Sequence, residues 1–172
     1  MRGRRPPREG VDGTATDSAK RPTPKALAVR WLARRDYSRA ELTQRLRQRG
    51  VVDADIERVL DELAAAGYLS DARYANAVVA QRMGRFGKRA IVHALKERGI
   101  GADESAGALA QLADVDELEQ ASALWRQRFG VAPADDREKA RHVRFLQARG
   151  YGLSIALAVL RAAGSRASED AS

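Results

Sequence analysis

The pattern Leu-x-x-Arg-Gly occurs three times in this chain, at Leu46–Gly50, Leu95–Gly99 and Leu146–Gly150, roughly fifty residues apart. Each copy closes a stretch with helical periodicity, and an apolar residue follows at once: Val51, Ile100 or Tyr151. Repetition at that period defines units too short to bury a core alone, so each is expected to stack on the next. The expected fold is all-α, an elongated array of three tandem three-helix, helix-turn-helix-like repeats. Their boundaries are placed at residues 23–68, 69–114 and 115–164. Residues 1–22 mix Arg, Pro, Gly, Thr and Asp without periodicity and read as a disordered basic arm, with 165–172 as a disordered tail.

Local signals place the helices. Thr23 can cap a first helix with Pro24 at its first position, running to about Arg35. Ser38 opens the second with a capping box to Glu41 and a hydrophobic staple between Tyr37 and Leu42. Gly50 is placed to supply the left-handed residue that ends it, with Val51 folding back. Asp53 is expected to cap a third helix carrying Ile56, Val59, Leu60 and Leu63, which Gly67 ends. The second repeat starts at Ser70 and runs through Tyr74, Ala77, Val78 and Met83. Its staple recurs as Phe86 and Ile91 around Gly87, and its third helix, about Asp103 to Leu112, is interrupted by Ser105 and Gly107. The third repeat opens near Asp116 with Leu118, Ala121, Leu124 and Trp125. A loop with Pro133 precedes a helix from about Asp136 to Arg149 that has Arg137 where the first repeat has Tyr37. A last helix, Leu153 to Ala163, is expected to end at Gly164.

Composition narrows the function. With 44% hydrophobic and only 5% aromatic residues, any core is built from Ala, Leu and Val, which suits helices. The absence of cysteine excludes disulfides, thiol nucleophiles and thiolate zinc sites. His93 and His142 lie far apart and read as surface or half-buried residues, so no metal site is expected. The longest apolar run, Ile155 to Leu160, is too short to span a bilayer, and no signal peptide precedes it. A cytoplasmic protein without a membrane anchor is expected. Gly84-Arg85-Phe86-Gly87-Lys88 fails as a phosphate loop, because Arg89 follows the lysine and no strand precedes it. The carboxylates Asp53, Asp55, Asp71 and Asp116 sit where helix starts want them and read as caps and solubilising charge. No catalytic residue, cofactor or enzymatic activity is expected.

The net charge of +8 is uneven: +3 over residues 1–21, +7 over 22–100 and −2 over 101–172. A polyanion is the natural partner for the first two repeats. Arg34, Arg35 and Arg39 bracket the first inter-helix turn, and Arg45 and Arg49 lie one helical turn apart beyond it. Arg82, Arg85, Lys88 and Arg89 bracket the matching turn of repeat two, followed by Lys96 and Arg98. Stacking of the repeats would bring these eleven residues into one partner-binding stripe, and the guanidinium fork suits phosphate and carboxylate alike. The same residues also fit a solvated helix face carrying pairs such as Glu41 with Arg45. The Arg beside each repeat glycine, at 49, 98 and 149, either caps helix carbonyls or faces the partner.

Three pieces of the sequence, over about residues 24–163, resemble the RecX family of regulators of the RecA recombinase. They are Arg35-Asp36-Tyr37-Ser38-Arg39-Ala40-Glu41-Leu42 with Arg49-Gly50; Gly67-Tyr68-Leu69-Ser70-Asp71-Ala72-Arg73-Tyr74-Ala75; and Gly84-Arg85-Phe86-Gly87-Lys88-Arg89-Ala90-Ile91 with Arg98-Gly99. Ser70 stands where the family more often has an acidic residue, and Lys88 where proline is frequent. The resemblance implies three tandem three-helix repeats and a non-enzymatic modulator, mainly an inhibitor. Such a protein lodges in the groove of the RecA–DNA filament and suppresses filament growth, ATPase, strand exchange and co-protease activity, within DNA repair, recombination and the SOS response. The implied partners are the RecA filament and, weakly and without sequence preference, single- or double-stranded DNA; a monomer is expected. The rival expectation is a tandem helix-turn-helix-like DNA-binding protein acting without RecA. Its reading helices would have to be the third ones, which offer Glu57, Asp61 and Glu62 or Ser105 and Gln111, poor equipment for a major groove.

Overall fold

A computed structural model describes residues 22–169, with side chains described to Ser165. The arm expected over 1–22 therefore lies outside the described residues except for Pro22, as does the end of the tail, 170–172. The elements are α1 (Pro24–Leu32), α2 (Arg39–Arg47), α3 (Asp53–Ala65), α4 (Asp71–Arg82), α5 (Lys88–Glu97), α6 (Ala102–Leu109), α7 (Glu117–Arg128), α8 (Asp136–Ala148) and α9 (Leu153–Glu169). No strand occurs among the described residues. The expected all-α repeat fold is what forms, three helices to a repeat.

The local rules act as written in the sequence at most helix ends. Ser38 accepts from the Glu41 amide while Glu41 reaches back to the Ser38 amide, a complete capping box, and both staple residues Tyr37 and Leu42 are buried. Gly50 takes φ +77°, and the Val51 amide folds back onto the Leu46 carbonyl at 3.2 Å. Gly99 and Gly150 end α5 and α8 by the same device.

Four expectations need correction. Val52 occupies the N-cap position of α3 and no side chain caps the helix; Asp53 is its first residue and pairs with Arg47 at 2.7 Å. Ser105 and Gly107 do not interrupt α6, which runs through both and tightens into a 3₁₀ turn at Ala110–Leu112. Gly164 does not stop α9; the helix continues to Glu169, so part of the expected tail is helical. α1 stops three residues short of Arg35. The remaining difference concerns the cores. Each repeat closes one of its own: Leu42, Leu46, Ile56, Leu60 and Leu63 in the first; Val79, Ile91 and Leu95 in the second; Leu146, Tyr151, Ala156 and Val159 in the third. Every extensively packed pair of helices lies within one repeat. About forty residues suffice because all three helices of a repeat turn apolar side chains inward, as Tyr74, Val79, Ile91, Leu95 and Ala108 do in the second.

Those joints follow one plan. The Arg98 carbonyl, at the C-terminal end of α5, accepts from the Ser38 hydroxyl at the N-cap of α2, at 2.8 Å. The Arg149 carbonyl, at the end of α8, accepts from the Gly87 amide at the N-cap of α5, also at 2.8 Å. At each joint a carboxylate opening the next repeat's first helix takes the first amide of the middle helix: Asp71 from Arg39 at 2.7 Å, Glu117 from Lys88 at 2.8 Å. Burial pushes the Asp71 carboxyl up, opposed by the Arg39 amide. Asp71 and Glu117 thus cap a helix in the preceding repeat. The three middle helices α8, α5 and α2 stand end to end, the negative end of each against the positive end of the next. At each joint the carbonyl that ends one middle helix gains a donor and the first amide of the next gains an acceptor, groups that a helix end otherwise leaves open.

Close approach sets the glycines at the joints. A Cβ on Gly99 would stand 2.5 Å from the Ala40 Cβ, and one on Gly150 would meet the Ala90 amide nitrogen at 2.6 Å. A Cβ on Gly50 would have nothing within 4 Å among the described residues. α8 begins a turn earlier than its counterparts and caps itself: Asp135 accepts from the Glu138 amide at 2.7 Å, and Glu138 from the Ala134 amide at 3.0 Å.

Candidate functional site

The eleven basic residues expected to form one stripe divide into two sets. Three are engaged in holding the fold. Arg39 binds Glu57 at 2.6 Å and Asp61 at 2.7 Å, pinning α2 to α3. Arg35 lies 3.6 Å from the Tyr37 ring centroid and 3.3 Å from Glu41. Arg98 donates to the Ala94 carbonyl at 2.9 Å, closing the last turn of α5. The other eight, Arg34, Arg45, Arg49, Arg82, Arg85, Lys88, Arg89 and Lys96, have side chains with no carboxylate partner among the described residues.

Aromatic rings, rather than carboxylates, position several of these. Arg45 donates to the Tyr37 hydroxyl at 2.6 Å and its guanidinium lies 5.1 Å from the Trp31 centroid, with Arg49 at 6.0 Å. Arg82 lies 5.0 Å from the Phe86 centroid. From the next repeat, Arg149 lies 5.4 Å from the same ring and 5.5 Å from Phe145. Cation–ring contacts of this kind hold a guanidinium in place without neutralising it. The three arginines beside the repeat glycines therefore have different roles: Arg98 caps, whereas Arg49 and Arg149 stack.

Each joint between repeats opens a groove. At the first, about 460 Å³ is lined by Arg35, Asp36, Glu41, Tyr74, Arg82 and Arg98, so two carboxylates face its three cations. At the second, about 550 Å³ is lined by Arg82, Phe86, Arg89, His93, Gln147 and Tyr151, with Glu97 its single carboxylate. Arg82 borders both. Arg149, which the sequence left between capping and facing a partner, stands on rings, and Arg128 and Arg141, outside the expected stripe, sit 5.6 and 5.7 Å from the Phe129 ring in the third repeat. Ring neighbours brought together by folding carry that information, and spacing along the chain does not.

The third repeat also departs from expectation at His142, which is 2% exposed rather than half-buried. Trp125 Nε1 donates to His142 Nδ1 at 3.3 Å, and the Phe129 ring stacks on the imidazole at 3.7 Å between centroids. Burial, and then the positive charge of Arg141, pushes the imidazole below its ordinary value. His93 is exposed and faces Glu97 at 3.4 Å. Among the described residues no group of three or more His, Cys, Asp or Glu could hold a metal, and no helix is long and apolar enough to cross a membrane.

Comparison with known proteins gives consistent matches along the chain. Three family models match in order: RecX, first three-helix domain, at residues 25–63; second at 70–109; third at 114–160. The regulatory protein RecX of Leptothrix cholodnii is 47% identical over 139 residues, covering 81% of this chain and 88% of that protein. Its counterpart in Acidithiobacillus ferrooxidans is 41% identical over 138 residues, covering 78% and 86%. Among solved structures, RecX from Lactobacillus salivarius superposes with a TM-score of 0.69 at 18% identity, covering 82% of this chain and 94% of that one. At that identity the likeness speaks to fold.

Proposed function

The chain belongs to the RecX family of regulatory proteins, and from that premise we propose that it modulates, mainly by inhibition, the RecA recombinase. In this reading it lies along the groove of the RecA–DNA filament as a cytoplasmic monomer without catalytic activity of its own. It suppresses ATP hydrolysis, strand exchange and co-protease activity, and so restrains recombination, DNA repair and the SOS response. The observation that carries this is the end-to-end contact of α8 with α5 and of α5 with α2, with a cation-bearing groove at each joint. A row of separately cored units on narrow joints can follow a helical groove, and its unpaired arginines can meet phosphate or carboxylate there. Contact with DNA is weak and made to phosphates, so it carries no sequence preference.

Action as a helix-turn-helix protein without RecA is the poorer fit. The exposed face of α3 carries Glu57 and Asp61 bound to Arg39, and Glu62 bound to Lys25 and Arg58. That face would meet a base-pair edge with negative charge. The test is RecA's single-strand-dependent ATPase and strand exchange with the protein in stoichiometric excess. Both are expected to fall; unchanged rates would refute the proposal, and tight sequence-selective duplex binding without RecA would establish the rival.

A further inference from the structure

We infer that the groove between the second and third repeats, lined by Arg82 and Arg89 and flanked by Arg149 at the Phe86 ring, is a binding site for the sugar–phosphate backbone of a single DNA strand. The inference rests on the proposed function for the presence of DNA and assigns that contact to one place. Arg82 and Arg149 come from different repeats, yet both guanidiniums lie within 5.4 Å of the Phe86 centroid. Neither has a carboxylate partner among the described residues, and Arg89 adds a third unpaired cation to the wall. The one lining carboxylate, Glu97, faces His93. Docking of two repeats thus concentrates like charge, which repels unless an anion sits between.

Several features favour a nucleic-acid strand over an acidic protein segment. The donors are planar forks that bind phosphate in a bidentate way, and Gln147 adds a neutral donor beside them. The groove, about 550 Å³, is lined by two arginines against a single carboxylate, a balance that suits a polyanion. Its rings serve to seat the arginines, leaving nothing to read bases, which matches a contact indifferent to sequence. The first joint is less suited, since Asp36 and Glu41 line it and Arg35 and Arg98 are already engaged.

The experiment is fluorescence anisotropy of a fluorescein-labelled oligothymidylate against the full chain, across a series of salt concentrations. R82Q/R149Q should weaken binding about tenfold or more and flatten the log–log salt slope by about 1.4, the value for two lost single-strand phosphate contacts. R47Q/R58Q removes two ion-paired cations from the first repeat and should leave the slope unchanged. R82K/R149K keeps both charges and should keep the slope, which separates loss of charge from damage to the joint. The inference is overturned if R82Q/R149Q binds with the parental slope, or if the lysine variant loses as much as the glutamine one. Loss of RecA inhibition by R82Q/R149Q with DNA binding intact would equally overturn it, since the groove would then serve a protein. If the parental chain binds DNA through these residues but leaves RecA's ATPase untouched, the groove stands and the proposed function fails.

Discussion

At the scale of single residues, the repeat glycines look equivalent in the sequence and are not equivalent in the fold. All three take positive φ, so a side chain at any of them costs about 1–2 kcal/mol for the left-handed backbone. Gly150 carries a second constraint, because its Cβ would stand 2.6 Å from the Ala90 amide nitrogen, whereas Gly50 faces open space. G150A should therefore destabilise by about 2 kcal/mol more than G50A, the usual cost of overpacking, in urea unfolding. Equal losses would mean that the joint yields at no cost. His142 makes a second prediction. Its imidazole is held below its ordinary value of 6.5, so the folded protein takes up the proton less readily than the unfolded chain. Stability is then complete above that value and falls as the pH drops below it. H142Q should remove this slope of unfolding free energy between pH 7 and pH 5, and a parental slope in H142Q would place its origin elsewhere.

At the scale of helices, two serines at N-caps separate what a cap contributes from what a joint contributes. Ser70 accepts only from the Arg73 amide. Ser38 is fully buried, completes a capping box and also donates to the Arg98 carbonyl of the next repeat. S70A should cost about 1 kcal/mol and S38A about 2 kcal/mol or more, since the second leaves a buried carbonyl without its donor. Thermal unfolding of the two variants checks the order; equal shifts in midpoint would remove Ser38 from the joint. Caps, staples and glycine stops were legible because each involves residues three to five apart. The joints were not, because they consist of main-chain groups and missing Cβ atoms some sixty residues apart, which no spacing announces. For the same reason Arg39 looked available for a partner: Glu57 and Asp61, its actual partners, lie on another helix. Asp71 and Glu117 looked like ordinary first-turn carboxylates and turned out to cap the repeat before their own.

At the scale of the whole molecule, the period correctly announced three units but suggested that they share a core. The separate cores and polar joints instead give a row of small bodies whose middle helices meet end against end. Charge follows the same division. Cations of the first joint are largely spent on the fold, and those of the second stand unpaired on aromatic rings. The proposed function has such a row of units lie along the groove of a RecA–DNA filament. Electron microscopy of RecA–DNA filaments decorated with the full chain tests that most directly. Three-lobed density is expected to repeat along the filament groove, with α8, α5 and α2 succeeding one another along it; density confined to filament ends, or bare filaments, would contradict groove binding.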